Sequence, residues 1–147
     1  MTLTQHVKYT FGVSVILLLW WNITQIAWFA LGSILIDFDH YLLYILRFKK
    51  FDIRGMFYYF NEWLPKNIGA IKYGGVCIFH TIEFYIITGI FSIYIPSMIY
   101  VLYGLLFHFV LDSISLYRNK CLFTRAFSIV EHFLRSKKHK LKGVTYV

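Results

Sequence analysis

The chain has 147 residues, of which 59% are hydrophobic, 21% aromatic and only 15% charged. Soluble domains carry roughly 45–50% apolar and about 25% charged residues, so this composition excludes an ordinary soluble domain, a disordered segment and a disulfide-stapled secreted module. With a net charge of +8, it predicts a small all-α integral membrane protein with room for about four spans of roughly 20 residues.

Four apolar segments follow in order, at residues 7–22, 23–46, 75–95 and 97–117. Backbone groups must pair within a segment inside a bilayer, so each is predicted as a helix. The first also fits the apolar core of a signal peptide, but no small-x-small cleavage pattern follows it, and bulky Trp20 and Trp21 stand where one belongs. Two very short connections, around Asn22 and around Pro96, make two antiparallel hairpins. The loop at 47–74 and the tail at 118–147 are long and mixed. The expected organisation is a transmembrane domain over 1–117 and a basic amphipathic tail over 118–147.

All fifteen Lys and Arg fall on the side that holds the loop and both termini. The positive-inside rule makes that side cytoplasmic, with both termini inside, and the expected location is a cytoplasmic (inner) membrane. Residues 54–64, with Phe57, Phe60, Trp63 and Leu64, predict an interfacial loop helix. Residues 123–142 predict an amphipathic helix ending in a basic cluster, with anionic lipid headgroups as its partner. For the last ten residues an ordinary solvated tail is an equal reading. Because topology accounts for the positive charge, nucleic-acid binding is not expected. Neither Cys77 nor Cys121 has metal-type spacing, and Cys77 reads as a small buried residue.

Four of the seven carboxylates, Asp37, Asp39, Glu83 and Asp112, fall inside the apolar segments, as do His40, His80 and His108, with His6 at the mouth of the first. A charge at the bilayer centre costs roughly 2.5–3.5 kcal/mol on insertion scales, so such groups face the bundle interior and pair. At 1.5 Å per residue, segments of alternating direction carry all of them to one layer roughly 8–14 Å below the cytoplasmic side. Asp37 and His40 are i,i+3, His80 and Glu83 are i,i+3, and His108 and Asp112 are i,i+4, so each pair is expected on one helix face. Asp39 lies off the Asp37/His40 face and is expected to unwind or cap the helix. Histidine and carboxylate from several helices is how bundle metal sites are made. His6, Asp37, His40, His80, His108 and Asp112 are therefore the candidate ligands for one or two divalent metal ions. Zinc leads, with manganese, iron or magnesium also admitted.

The run Leu31-Gly32-Ser33-Ile34-Leu35-Ile36-Asp37-Phe38-Asp39-His40, together with His6, His80-Thr81 and His108-Phe109-Val110-Leu111-Asp112, resembles the YdjM-like membrane-bound metal-dependent hydrolases. The likeness covers most of the chain through Asp112 and rests on about a dozen positions. The chain departs from the family at Ile36, where proline is common, and at 76–79, where His-Arg-Gly is common. Glu83 is an acid that the family pattern lacks. The resemblance implies a metal-dependent hydrolase. Its substrate is then an amphiphile such as a phospholipid or polyprenyl phosphate, because the layer sits at headgroup depth. Glu83 or Asp39 would be the general base, and Arg47, Lys49, Lys50 and Lys72 would hold phosphate at the mouth or simply enforce topology. A small metal or proton transport protein is the second expectation. A non-catalytic membrane protein with a polar helix-packing core is the third.

Overall fold

The computed structural model describes residues 3–67, 75–120, 122 and 125–141. It is all-α apart from one two-residue parallel pairing. Helix α1 covers Leu3–Leu17 and α2 covers Ile23–Leu35. The turn between them is closed by a capping box at Asn22. Its side chain accepts from the Gln25 amide, and the Gln25 side chain accepts from the Asn22 amide.

After α2 the helix tightens rather than ends. The amides of Asp37, Asp39 and His40 donate to the carbonyls of Ile34, Ile36 and Asp37, an i,i+3 pattern of the 3-10 kind. Helix α3 then runs over Phe38–Phe48 and stops where Lys49 adopts the left-handed conformation. Helix α4 (Ile53–Tyr58), a π-helical turn (Tyr59–Trp63) and α5 (Leu64–Asn67) form the loop structure. They fold back on α3 through an aromatic cluster of Tyr44, Phe48, Tyr59 and Phe60. The interfacial stretch expected at 54–64 is thus helical, but α3 covers part of it and Tyr59 is buried.

Strand β1 (Gly75–Val76) leads into a 3-10 turn at Ile78–His80, and α6 covers Ile82–Tyr94. Helix α7 spans Met98–Arg118, strand β2 is Arg125–Ala126, and α8 is Ile129–Leu141. The third apolar segment, expected as helix from residue 75, begins its helix at Ile82 instead. Thr81 is extended, at φ −95° and ψ 150°, and its hydroxyl caps α6 by accepting from the Phe84 amide. For this reason His80 and Glu83 do not share a helix face. The tail helix likewise starts later than expected, because Arg125 and Ala126 pair with Gly75 and Val76.

Among the described residues two stretches have the length and apolarity to cross a membrane, Ile23–Phe48 and Met98–Arg118. Helices α1 and α6 have 15 and 13 residues. At about 22 and 20 Å, both are shorter than a hydrocarbon core of about 30 Å. The expected two hairpins are present as packed helix pairs, α1 with α2 and α6 with α7, while α2 and α7 form the central contact. That contact is close because of two glycines. A Cβ at Gly32 would overlap the Val101 carbonyl oxygen, and one at Gly104 would overlap the Phe29 carbonyl oxygen.

Among the described residues the interior mixes polar side chains with apolar ones such as Ile26, Phe29, Ile36 and Leu105, and many large apolar side chains lie on the exterior. The largest fully buried side chains are His6, His80, His108, Thr10, Thr81 and Ser33, while Phe11, Leu19, Ile86, Ile93, Leu106 and Val110 are exposed. Polar side chains buried this fully call for partners inside the fold.

Candidate metal centre

Local structure delivers each side chain of the polar layer. On α1, His6, Thr10 and Ser14 recur every four residues, so they form one stripe, and all three are buried. Thr10 and Ser33 share a hydroxyl–hydroxyl bond of 2.7 Å that fastens α1 to α2. The tight turn after α2 projects Asp37, Asp39 and His40. The 3-10 turn before α6 projects His80, and α7 contributes His108 and Asp112.

The imidazoles of His80 and His108 meet at their Nε2 atoms, 3.1 Å apart. Their other nitrogens are committed. Nδ1 of His108 lies 2.8 Å from the Ser33 carbonyl oxygen. A carbonyl only accepts, so this nitrogen carries the hydrogen. Nδ1 of His80 lies 3.0 Å from Asp39 Oδ2, which also accepts from the Phe79 amide at 3.0 Å. In the neutral rings both Nε2 atoms therefore present lone pairs to each other across the gap. That is an unfavourable contact unless a proton or a metal ion sits between them.

Two carboxylates complete the set. Asp37 Oδ1 lies 3.5 Å from His108 Nε2 and 3.9 Å from His80 Nε2. Asp112 Oδ2 is 3.8 Å from both nitrogens. Tetrahedral ligands held at about 2.0–2.2 Å from a zinc ion stand about 3.3–3.6 Å apart. The spacing of Asp37, His80 and His108 brackets that range, so these side chains fit a divalent ion. The hydrogen bonds behind them, carboxylate to one imidazole and backbone carbonyl to the other, are the supports that fix histidine ligands in metal sites.

The remaining groups surround this core. His6 stacks on His108, with ring centroids 3.9 Å apart and 10° between planes, and its Nε2 donates to Asp112 Oδ1 at 3.1 Å. His40 Nδ1 sits 3.3 Å from Asp37 Oδ1 and 3.2 Å from Asp39 Oδ1. Its side chain is 21% exposed, whereas those of His80 and His108 are fully enclosed. Ligand atoms of Asp39, His40, Cys77 and His80 all lie within 4.8 Å of one another, as do those of His6, His108 and Asp112. All six predicted ligands are thus brought together, and buried Cys77 joins them.

Other predicted residues are placed differently. Glu83 accepts from the Ser128 hydroxyl and the Ile129 amide, so its carboxylate holds the start of α8. Asp39 does reach the layer, behind His80. Arg47 donates to the Tyr59 hydroxyl at 2.8 Å. Burial pushes that phenol above its ordinary value, against the pull of the Arg47 charge. Lys49 and Lys50 are exposed just beyond α3, and Lys72 lies outside the described residues.

Arg125 enters the layer with no forewarning from the sequence. Its Nη1 donates to Asp112 Oδ2 at 3.0 Å, and its guanidinium lies over the Phe127 ring. The backbone holds it there. Residues 125–129 run alongside 75–83 through the β1–β2 pairing, a bond from the Ile82 amide to the Phe127 carbonyl, and the Glu83 contacts.

Imidazole and carboxylate donors suit zinc, iron or manganese, and a thiol nearby shifts the preference toward zinc. Such an ion would supply Lewis acidity. No protein-family model, characterised protein or solved structure matches the chain.

Proposed function

We propose that the chain is a membrane-embedded, metal-dependent hydrolase of the YdjM-like kind, acting on the polar end of an amphiphilic lipid or polyprenyl phosphate at the cytoplasmic face. The observation that carries the reading is the pair of Nε2 atoms 3.1 Å apart with both Nδ1 hydrogens committed elsewhere. Asp37, His80, His108 and Asp112 would hold the ion, which supplies Lewis acidity to the scissile group and activates water when bound. Asp39 and the Ser33 carbonyl orient the two imidazoles, so neither is asked to take a proton from substrate. His40 is partly exposed, unlike His80 and His108, and lies between two carboxylates, so it is the group suited to move a proton during hydrolysis.

The exposed apolar belt supports embedding of α1, the α2–α3 stretch, α6 and α7, as four segments in two hairpins. A bilayer accommodates α1 and α6, the shorter two, by local thinning. With all fifteen basic residues on the side of the loop and termini, that side is cytoplasmic.

The Thr10–Ser33 bond favours one rival, a polar core that only joins helices. Metal content separates the two. Protein purified in mild detergent, without chelators or a His tag, is expected to carry one or two equivalents of divalent metal by mass spectrometry. His108→Ala is expected to lose the metal while remaining monodisperse. Wild-type stoichiometry in the variant, or no metal in either protein after reconstitution, overturns the hydrolase reading.

A further inference from the structure

We propose that Arg125 is the oxyanion-binding arm of the metal layer and that the group it binds is a phosphoryl group. The proposal rests on the metal-dependent reading and adds to it the substrate's charged group and the residue that grips it.

Arginine presents its N–H groups on fixed edges of a plane. In Arg125, Nη1 is taken by Asp112 Oδ2 at 3.0 Å. The neighbouring edge, formed by Nε and Nη2, is different. Both nitrogens are buried, and among the described residues no acceptor meets either of them. Their hydrogens point the same way and form the fork that receives two oxygens of an oxyanion. Buried charged donors left unpaired are costly, so a fork kept in this state calls for a ligand.

The fork is also held rigidly. Arg125 is in register with Gly75 across the two-residue pairing, and the adjacent Ala126 is fully buried. The Phe127 ring lies 5.5 Å from the guanidinium carbon and covers one face of the plane. Rotation of the side chain would break the Asp112 bond, so the unpaired edge keeps its direction.

The choice of phosphoryl over carboxylate follows from counting oxygens. A carboxylate that satisfies the fork with both oxygens must share one of them to reach the ligand set beside it. A phosphoryl group satisfies the fork with two and still offers a third. Asp112 joins the two halves of the site, since its Oδ2 takes Arg125 and also lies 3.8 Å from both histidine nitrogens.

The test uses full-length protein in mild detergent, with Arg125→Lys and Arg125→Gln beside the wild type. Probes are inorganic phosphate, mixed micelles containing dioleoyl phosphatidic acid, and matched micelles containing oleate. Calorimetry gives affinity, and mass spectrometry gives metal content on the same samples. Wild type is expected to bind phosphate and phosphatidic acid in preference to oleate. Arg125→Lys keeps the charge but loses the fork, and is expected to bind about 10–100-fold more weakly with metal content unchanged. Preference for phosphatidic acid over inorganic phosphate identifies a lipid source, and the reverse identifies a soluble one. Equal phosphate affinity in the lysine variant, an equal response to oleate, or no binding by wild type overturns the proposal. So does parallel loss of metal and phosphate in both variants, which would make Arg125 a support for Asp112 alone. Absence of metal from wild type sinks the hydrolase reading itself, and the phosphate arms register that case separately.

Discussion

Asp39 illustrates how much of this site works at one remove. Its Oδ2 receives both His80 Nδ1 and the Phe79 amide, so it sets the ring's tautomer and its direction together. Asp39→Asn keeps the volume and loses the charge. The expected outcome is a metal affinity lowered about 10–100-fold, read by chelator competition, with folding retained. Wild-type affinity in that variant would remove Asp39 from the site. At this scale the chain was readable wherever a polar residue interrupted an apolar run, because burying His80, His108 or Asp112 in lipid without purpose is costly. Arg125 was not readable. In sequence it is one basic residue among fifteen, and no periodicity announces a two-residue strand. Glu83 misled for the opposite reason. Its spacing from His80 fits a helix face only if the helix continues through Thr81, and the Thr81 cap stops it.

Elements are placed by small residues and caps. The α2–α7 contact depends on Gly104 lying against the backbone of Phe29 and Ser33. One turn further along α7, His108 reaches the Ser33 carbonyl. Gly104→Ala is expected to push the helices apart at the cost typical of overpacking, about 1–3 kcal/mol, and to lengthen the His108–Ser33 bond. Thermal unfolding in detergent should show a lower midpoint together with weaker metal retention. A lower midpoint with full metal retention would separate the packing from the site. Glu83→Gln makes the contrasting case. It weakens the start of α8, where Glu83 accepts from the Ile129 amide through both oxygens, since the glutamine side chain keeps only one acceptor oxygen. Metal content is expected to stay at the wild-type level, and its loss would return Glu83 to the layer. The two long apolar stretches and the short turn around Asn22 were legible in the sequence, as hydrophobic runs and a polar break, while the capping box that closes the turn was not. The start of α6 was not, since a tertiary pairing with residues 125–129 sets it.

As a whole the molecule packs its polar side chains inward and leaves isoleucine, leucine and phenylalanine outside, the arrangement that suits lipid as solvent. In a Cys77→Ser, Cys121→Ser background, a cysteine placed at Lys66 is expected to react with a membrane-impermeant maleimide from the cytoplasmic side. One placed at Ser97 is expected to react from the opposite side. Labelling of both from the same side would overturn the topology. The pairing of Arg125 and Ala126 with Gly75 and Val76 has a consequence for how the chain is cut. A boundary at 117/118 separates the apolar segments from a basic extension and looks safe on hydropathy, yet it passes through one folded unit. A protein shortened there would still insert, and would still carry every histidine of the layer. It would lack the strand that pairs with Gly75 and Val76 and the guanidinium that holds Asp112, so it would be a correctly addressed but unfinished vessel.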